Sequence, residues 1–234
     1  MKWNDNIIDS LDWGKDIARR AEKEKVANRI AAMVEDNMTL GVGSGSTSYL
    51  ALVKIAERVK QERLKIRAIT TSLEIAMACA RLEIPTAGLE SGRPDWTFDG
   101  ADEIDPNKHL IKGRGGAMFK EKLLINASPK TFILADHSKM VKRLGENFPV
   151  PVEVFPQALT YVANALQQEL RPRCIKLRMA EGKDGPLITE NGNLILDVWF
   201  DYIPAGTERA IKQITGVIES GLFMGYDIEV FLNS

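Results

Sequence analysis

The chain has 234 residues, 44% hydrophobic and 27% charged, with a formal net charge of −1. That composition supports a buried core and a solvated surface. It gives no global basic field for nucleic acid or an anionic membrane, so a bound anion must be held by a local arrangement. Cys79 and Cys174 form no CxxC pair and no disulfide framework, and no zinc-type spacing surrounds His109 or His137. The N-terminal run "MKWNDNIIDSLDWGKD" is too polar for a signal-peptide core, and no apolar run approaches membrane-spanning length. The expectation is a soluble, cytoplasmic protein with reduced thiols and no metal.

In chain order, residues 15–35 predict an amphipathic helix, with Ile17, Ala21, Ala27, Ile30, Ala31 and Val34 near a 3.6-residue period. "MTLGVG" reads as a short buried strand and "GSTSYLALVKIAERVKQER" as a helix with Ser or Thr at its start. "KIRAITTS" is the next strand and "SLEIAMACARLE" the next helix. "DWTFDGADEID" reads as a strand ending in an acidic loop, "HLIKGRGG" as a strand entering a glycine turn, "AMFKEKLLINA" as a helix and "KTFILAD" as an apolar strand. The alternation predicts an α/β fold with an open, mostly parallel, Rossmann-like sheet flanked by helices. In such sheets ligands lie beyond the carboxyl ends of the strands. The loops "GSGST", "DGADE", "KGRGG" and "ADHSK" each follow a predicted strand and are expected to converge there.

The pattern changes near Phe148. "FPVPVEVFP" is extended and Pro-rich, and a helix, "QALTYVANALQQEL", follows it. Next come "RCIKLRM" and two apolar runs, "LITE" and "NLILDVWF", which Asn191 and Gly192 join as a hairpin signal. This βαββ-like run predicts a small α+β, ferredoxin-like domain over 146–212, with 1–145 and 213–234 forming the main α/β domain. The tail "GLFMGYDIEVFL" reads as strands returning to that main domain.

Four stretches carry candidate chemistry. "GVGSGSTSYL" places glycines and hydroxyls between a strand and a helix. It reads equally as a phosphate cradle at a helix N-terminus and as a tight turn with a Ser or Thr cap. It lacks the GK[ST] ending of a nucleotide-binding P-loop. In "DGADEID", Asp99 at the strand end is the better candidate for an inward role, whereas Glu103 and Asp105 read as a solvated turn. In "IKGRGGAMFKEKLL", Lys112 precedes a glycine turn whose amides suit an anionic or carbonyl oxygen. Glu121 then projects from an apolar helical stripe formed by Ala117, Met118, Leu124 and Ile125. A carboxylate there is expected to have a raised pKa, which suits a general base. The plain alternative, pairing with Lys120 or Lys122, is at least as good on geometry alone. Lys139, after "FILADHS", reads as a phosphate contact or a surface lysine.

Taken in this order and spacing, "GVGSGST", "TTS", "DGADEID", "KGRGGAMFKEK", "ADHSK", "PVEV" and "NGNLILDV" strongly resemble the type A ribose-5-phosphate isomerases, from about Gly41 to the "GLF" near residue 223. The resemblance implies interconversion of ribose 5-phosphate and ribulose 5-phosphate in the non-oxidative pentose phosphate pathway, by a homodimer or homotetramer without organic cofactor or metal. It implies substrate contacts from Ser44, Gly45, Ser46 and Thr47, from Asp99, Gly100, Ala101 and Asp102, from Lys112, Gly113, Arg114 and Gly115, and from Lys139. Glu121 becomes the proton acceptor, and the expected route is a cis-enediolate. Asp99 assists ring opening, and Lys112 with the amides of Gly113 to Gly116 stabilises the oxyanion. Two positions depart from the family pattern: Arg114 stands inside a loop that is Gly-Gly-Gly in many members, and Ser44 replaces a common Thr. The first fourteen residues have no counterpart. Two rivals fit parts of the pattern. One is a non-catalytic sugar-phosphate sensor, which can lose the base. The other is an amino-sugar-phosphate deaminase, which releases ammonia.

Overall fold

The computed structural model describes residues 17–232. The expectation for the first fourteen residues, and for residues 15 and 16 of the first helix, lies outside them. The elements in order are α1 (Arg20–Ala31), β1 (Thr39–Val42), α2 (Gly45–Glu62), β2 (Arg67–Thr70), α3 (Leu73–Arg81), β3 (Trp96–Asp99), β4 (Glu103–Ile104), β5 (Leu110–Ile111) and α4 (Met118–Ala127). They continue with β6 (Thr131–Ala135), β7 (Val150–Val154), α5 (Leu159–Leu170), β8 (Cys174–Leu177), β9 (Leu194–Trp199), α6 (Thr207–Gln213), β10 (Val217–Ser220), β11 (Leu222–Phe223) and β12 (Ile228–Leu232). The described residues divide into two compact units, 17–100 with 123–137 and 228–232, and 101–122 with 138–227. The second unit contains all of 146–212 and in addition 101–122, 138–145 and 213–227.

The first unit is built on a parallel sheet of order β12-β6-β3-β1-β2. Its inner strands are buried along nearly their whole length, as in β6, where all five residues of Thr-Phe-Ile-Leu-Ala are buried. That is the mark of a strand covered on both faces. Val42, Phe98, Phe132 and Leu134 meet Leu52 and Ile55 of α2 and Ile30 of α1 in one core. The Ser72 side chain accepts from Ile75 N and starts α3 as an N-cap. The chain leaves β1 for β2 on one side and returns to β3 on the other. The crevice rule for open sheets therefore points to the ends of β1 and β3.

In the second unit, β7-α5-β8-β9-α6-β10 forms an antiparallel sheet of order β10-β7-β9-β8, the ferredoxin-like arrangement. Val150, Val152, Val154, Leu196 and Val198 pack with Val162 and Leu166 of α5 beneath it. Two elements of this motif, α6 and β10, go beyond the expected βαββ run. In α6 only Thr207 and Ile211 are buried, so the helix carries little periodic signal.

Two local expectations are corrected. The Asn191–Gly192 step does make a tight turn: Gly192 N donates to Thr189 O, Thr189 N donates to Asn193 O, and Gly192 has φ +79°. However, residues 187–189 form no strand, and β9 pairs with β7 and β8 instead. The strand before the glycine turn also lies outside the parallel sheet. β5 pairs antiparallel with β4 and β11, because the short link from Ile104 to Leu110 permits a hairpin and not a crossover. Among the described residues no helix is long and apolar enough to cross a membrane.

Candidate active site

At the switch point of the first unit, β1 and β3 run side by side with Val42 opposite Phe98, and the Asp99 side chain is 1% exposed. Its carboxyl occupies the space where a side chain at Gly43 would go, so residue 43 is glycine by close approach. Gly100 N donates to Asp99 Oδ1 at 2.7 Å. Ser44 is the N-cap residue of α2, with extended backbone, and Gly45, Ser46 and Thr47 form its first turn. The amides of a helix's first turn lack intrahelical acceptors and attract anions. Lys23 Nζ donates to Ser46 Oγ at 2.9 Å, which brings a cation to this loop. Nothing in the sequence separates Lys23 from the other charges of its helix.

In the second unit, Lys112 follows β5 and Glu121 sits in the first turn of α4. Lys112 Nζ lies 3.3 Å from Glu121 Oε2. The neighbouring lysines are engaged elsewhere: Lys120 pairs with Glu190, and Lys122 with Glu208 and Glu219. Glu121 is thus set against Lys112, while both helical neighbours pair with other carboxylates. Lys112 and Lys122 both sit over the Phe223 ring, at 5.7 and 4.7 Å from its centre.

Asp102 belongs to the same cluster. Burial pushes its carboxyl above the ordinary range, and the charge of Glu121 adds to this. The charges of Lys112 and Lys139 and the Arg114 N–H oppose it. Lys139, in the 3₁₀ turn His137–Lys139, and Arg114 both lie over the Phe148 ring, at 5.6 and 5.9 Å. Ala101 precedes Asp102 in this unit, whereas Asp99 and Gly100 belong to the other.

The glycine turn is closed by Gly116 N donating to Gly113 O at 3.0 Å. Gly113 and Gly116 both have φ +87°, where glycine is favoured. Arg114 has no such φ, which is why a side chain can stand between them. Arg114 N donates to Asp102 Oδ2 at 3.2 Å. Of the turn's four amides, those of Gly113 and Gly115 have no acceptor among the described residues.

The acidic stretch differs from its expected role as a solvated turn. Glu103 is 0% exposed and accepts from the amides of Gly145, Asn147 and Phe148 at 2.6, 2.5 and 2.9 Å. Three backbone donors replace water around its charge. They also fix the loop that carries Phe148. Asp105, 9% exposed, accepts from the amides of Asn107 and His109 and pairs with His109 Nδ1. Among the described residues, no three His, Cys, Asp or Glu side chains are grouped to hold a metal.

Known proteins match both the sequence and the fold. A ribose-5-phosphate isomerase A of Synechococcus is 42% identical over 208 residues, 87% of this chain and 88% of the relative. The solved ribose 5-phosphate isomerase A of Methanocaldococcus jannaschii superposes with a TM-score of 0.88 at 38% identity, covering 93% of this chain and 96% of that one. A D-ribose-5-phosphate isomerase in complex with phospho-erythronic acid gives the same TM-score at 35% identity and the same coverage. Likeness of this extent places the chain among the α/β sugar-phosphate isomerases. The family model described as ribose 5-phosphate isomerase A (phosphoriboisomerase A) matches residues 67–234, and the chain belongs to that family.

Proposed function

We infer that the protein interconverts D-ribose 5-phosphate and D-ribulose 5-phosphate through a cis-enediolate. Family membership supports the reaction. The observation that carries the chemistry is the buried Glu121 carboxylate 3.3 Å from the Lys112 ammonium, next to a glycine turn with two uncommitted amides. Asp99 passes the proton of the anomeric hydroxyl to the ring oxygen and opens the sugar. Glu121 then takes the proton from C2, and the electron pair moves on to the C1 oxygen. Lys112 and the amides of Gly113 and Gly115 stabilise that oxyanion. A proton passes from the C2 hydroxyl to the C1 oxygen, Glu121 returns its proton to C1, and the ketose results. No redox partner is consumed.

Substrate contacts come from Ser44, Gly45, Ser46 and Thr47, from Gly100, Ala101 and Asp102, and from Arg114 and Lys139. The working form is a cytoplasmic homodimer or homotetramer, as the family resemblance implies. The test is incubation of the purified protein with ribose 5-phosphate, with and without a chelator. Ketose forming at equal rates in both supports the reading. Absence of ketose overturns it, and ammonia release from an amino-sugar phosphate would assign the deaminase chemistry instead.

A further inference from the structure

Arg178 follows β8, and only 14% of its side chain is exposed. Its Nε donates to Asp197 Oδ2 at 3.0 Å, and its Nη2 pairs with Asp197 Oδ1. The planar fork is thereby fixed in orientation by a residue of β9. The remaining nitrogen, Nη1, donates to two carbonyl oxygens of the glycine turn, Gly113 O at 3.2 Å and Arg114 O at 2.8 Å.

In a trans peptide the N–H points opposite to its C=O. With the carbonyls of Gly113 and Arg114 held toward Arg178, the N–H groups of Arg114 and Gly115 must face away from it. The first is accounted for: Arg114 N donates to Asp102 Oδ2 at 3.2 Å, the carboxylate on which Lys112, Lys139 and Glu121 all act. The second, Gly115 N–H, has no acceptor among the described residues, and a side chain at Gly115 would meet nothing within 4 Å. The donor is therefore directed away from Arg178, has no acceptor among the described residues, and belongs to a residue whose Cβ side is open.

We propose that Arg178, held by Asp197, is a positioning residue of the isomerase: it locks the glycine turn so that Gly115 N–H donates to the substrate oxygen on which negative charge develops. The inference rests on the isomerase reading above. A lysine at 178 keeps the charge but cannot grip Asp197 and two carbonyls with one planar group.

The test compares wild type, Arg178→Lys and Asp197→Asn, each first checked for a cooperative thermal transition. Losing one such donor typically costs about 10²–10³ in kcat. Arg178 acts at one remove, so a fall in kcat of roughly 10- to 100-fold is expected for Arg178→Lys, with KM within about threefold. Phospho-erythronic acid presents a planar anion and should bind more weakly by a similar factor, whereas inhibition by inorganic phosphate should not change. Asp197→Asn preserves the shape of the site and should show the same split at smaller size, so it carries the test if Arg178→Lys does not fold. A folded variant with kcat within about twofold of wild type overturns the proposal, as does equal weakening of both anions. Wild-type protein that forms no ketose would overturn the isomerase reading, and this inference with it.

Discussion

The Lys112 ammonium lies 3.3 Å from the Glu121 carboxylate, with side chains only 3% and 4% exposed. Opposite charges so far from water stabilise each other strongly, but removing one leaves the other buried without its neighbour, at a typical cost of about 3–5 kcal/mol. Glu121→Gln should therefore lower the melting temperature as well as turnover. General-base catalysis is typically worth about 10²–10⁴ in rate, and at least that loss in kcat is expected, with sugar-phosphate binding largely retained. Lys112→Met should lower kcat more than it raises KM. The double variant should regain most of the lost stability and none of the activity. Melting curves and steady-state kinetics on the three proteins decide this, and near-normal kcat in Glu121→Gln would remove the base from its role.

The glycine turn makes a contrasting pair of predictions. A methyl group at Gly113 would sit 2.7 Å from Met118 Cβ, in a backbone with φ +87°. The left-handed conformation alone costs an L-residue about 1–2 kcal/mol, so Gly113→Ala should lose more than that once the clash is added. Gly115 has neither a positive φ nor a neighbour within 4 Å. Gly115→Ala should stay within about 0.5 kcal/mol of wild type, as surface changes usually do. Urea midpoints for the two variants measure the difference.

That contrast also marks what could be read in the sequence. The parallel sheet was legible because doubly covered strands such as β6 are apolar runs bounded by turn residues. Lys112 and Glu121 stood out in the sequence as residue types, but their pairing did not: Lys112, Lys120 and Lys122 are equivalent until α4 and β5 are placed. Glu103 looked solvated because its three amide donors come from residues 145–148, more than forty positions away. Arg178 gave no signal, since its task depends on carbonyls 64 and 65 residues earlier in the chain. The placement of β5 in a separate antiparallel sheet followed from link length, which strand patterning alone does not weigh.

Asp102 should show a trade between stability and activity. Burial raises its carboxyl above the unfolded value of 3.8. Between that value and the folded one, the native state holds a proton that the unfolded chain has released, so stability falls as pH rises through the window. Above the folded value the cost is fully present. Asp102→Asn keeps an acceptor for Arg114 N and removes the charge. It should melt higher than wild type at neutral pH, lose that advantage below pH 3.8, and turn over more slowly. A lower melting temperature at pH 7 would show instead that Lys112 and Lys139 more than repay the burial of this carboxylate.

Glu219 should behave in the opposite sense. Burial pushes its carboxyl up, but the Lys122 charge and hydrogen bond, the Ser220 N–H and Lys212 outweigh it and hold the carboxyl below 4.5. Its contribution is therefore complete above pH 4.5 and is lost as pH falls through the lower, folded value. Hydrogen bonds to charged groups are worth about 1.5–3 kcal/mol, and a loss of that order is expected for Glu219→Gln at pH 7. The gap to wild type should close as the buffer is taken below pH 4.5. Lys122, which Glu219 anchors at 2.8 Å, is the residue next to Glu121 on α4. The same substitution should therefore loosen the first turn of that helix and lower kcat by a few-fold at neutral pH while leaving the fold intact. Equal acid sensitivity of wild type and Glu219→Gln, read from denaturation midpoints across pH, would show that this network does not govern acid stability.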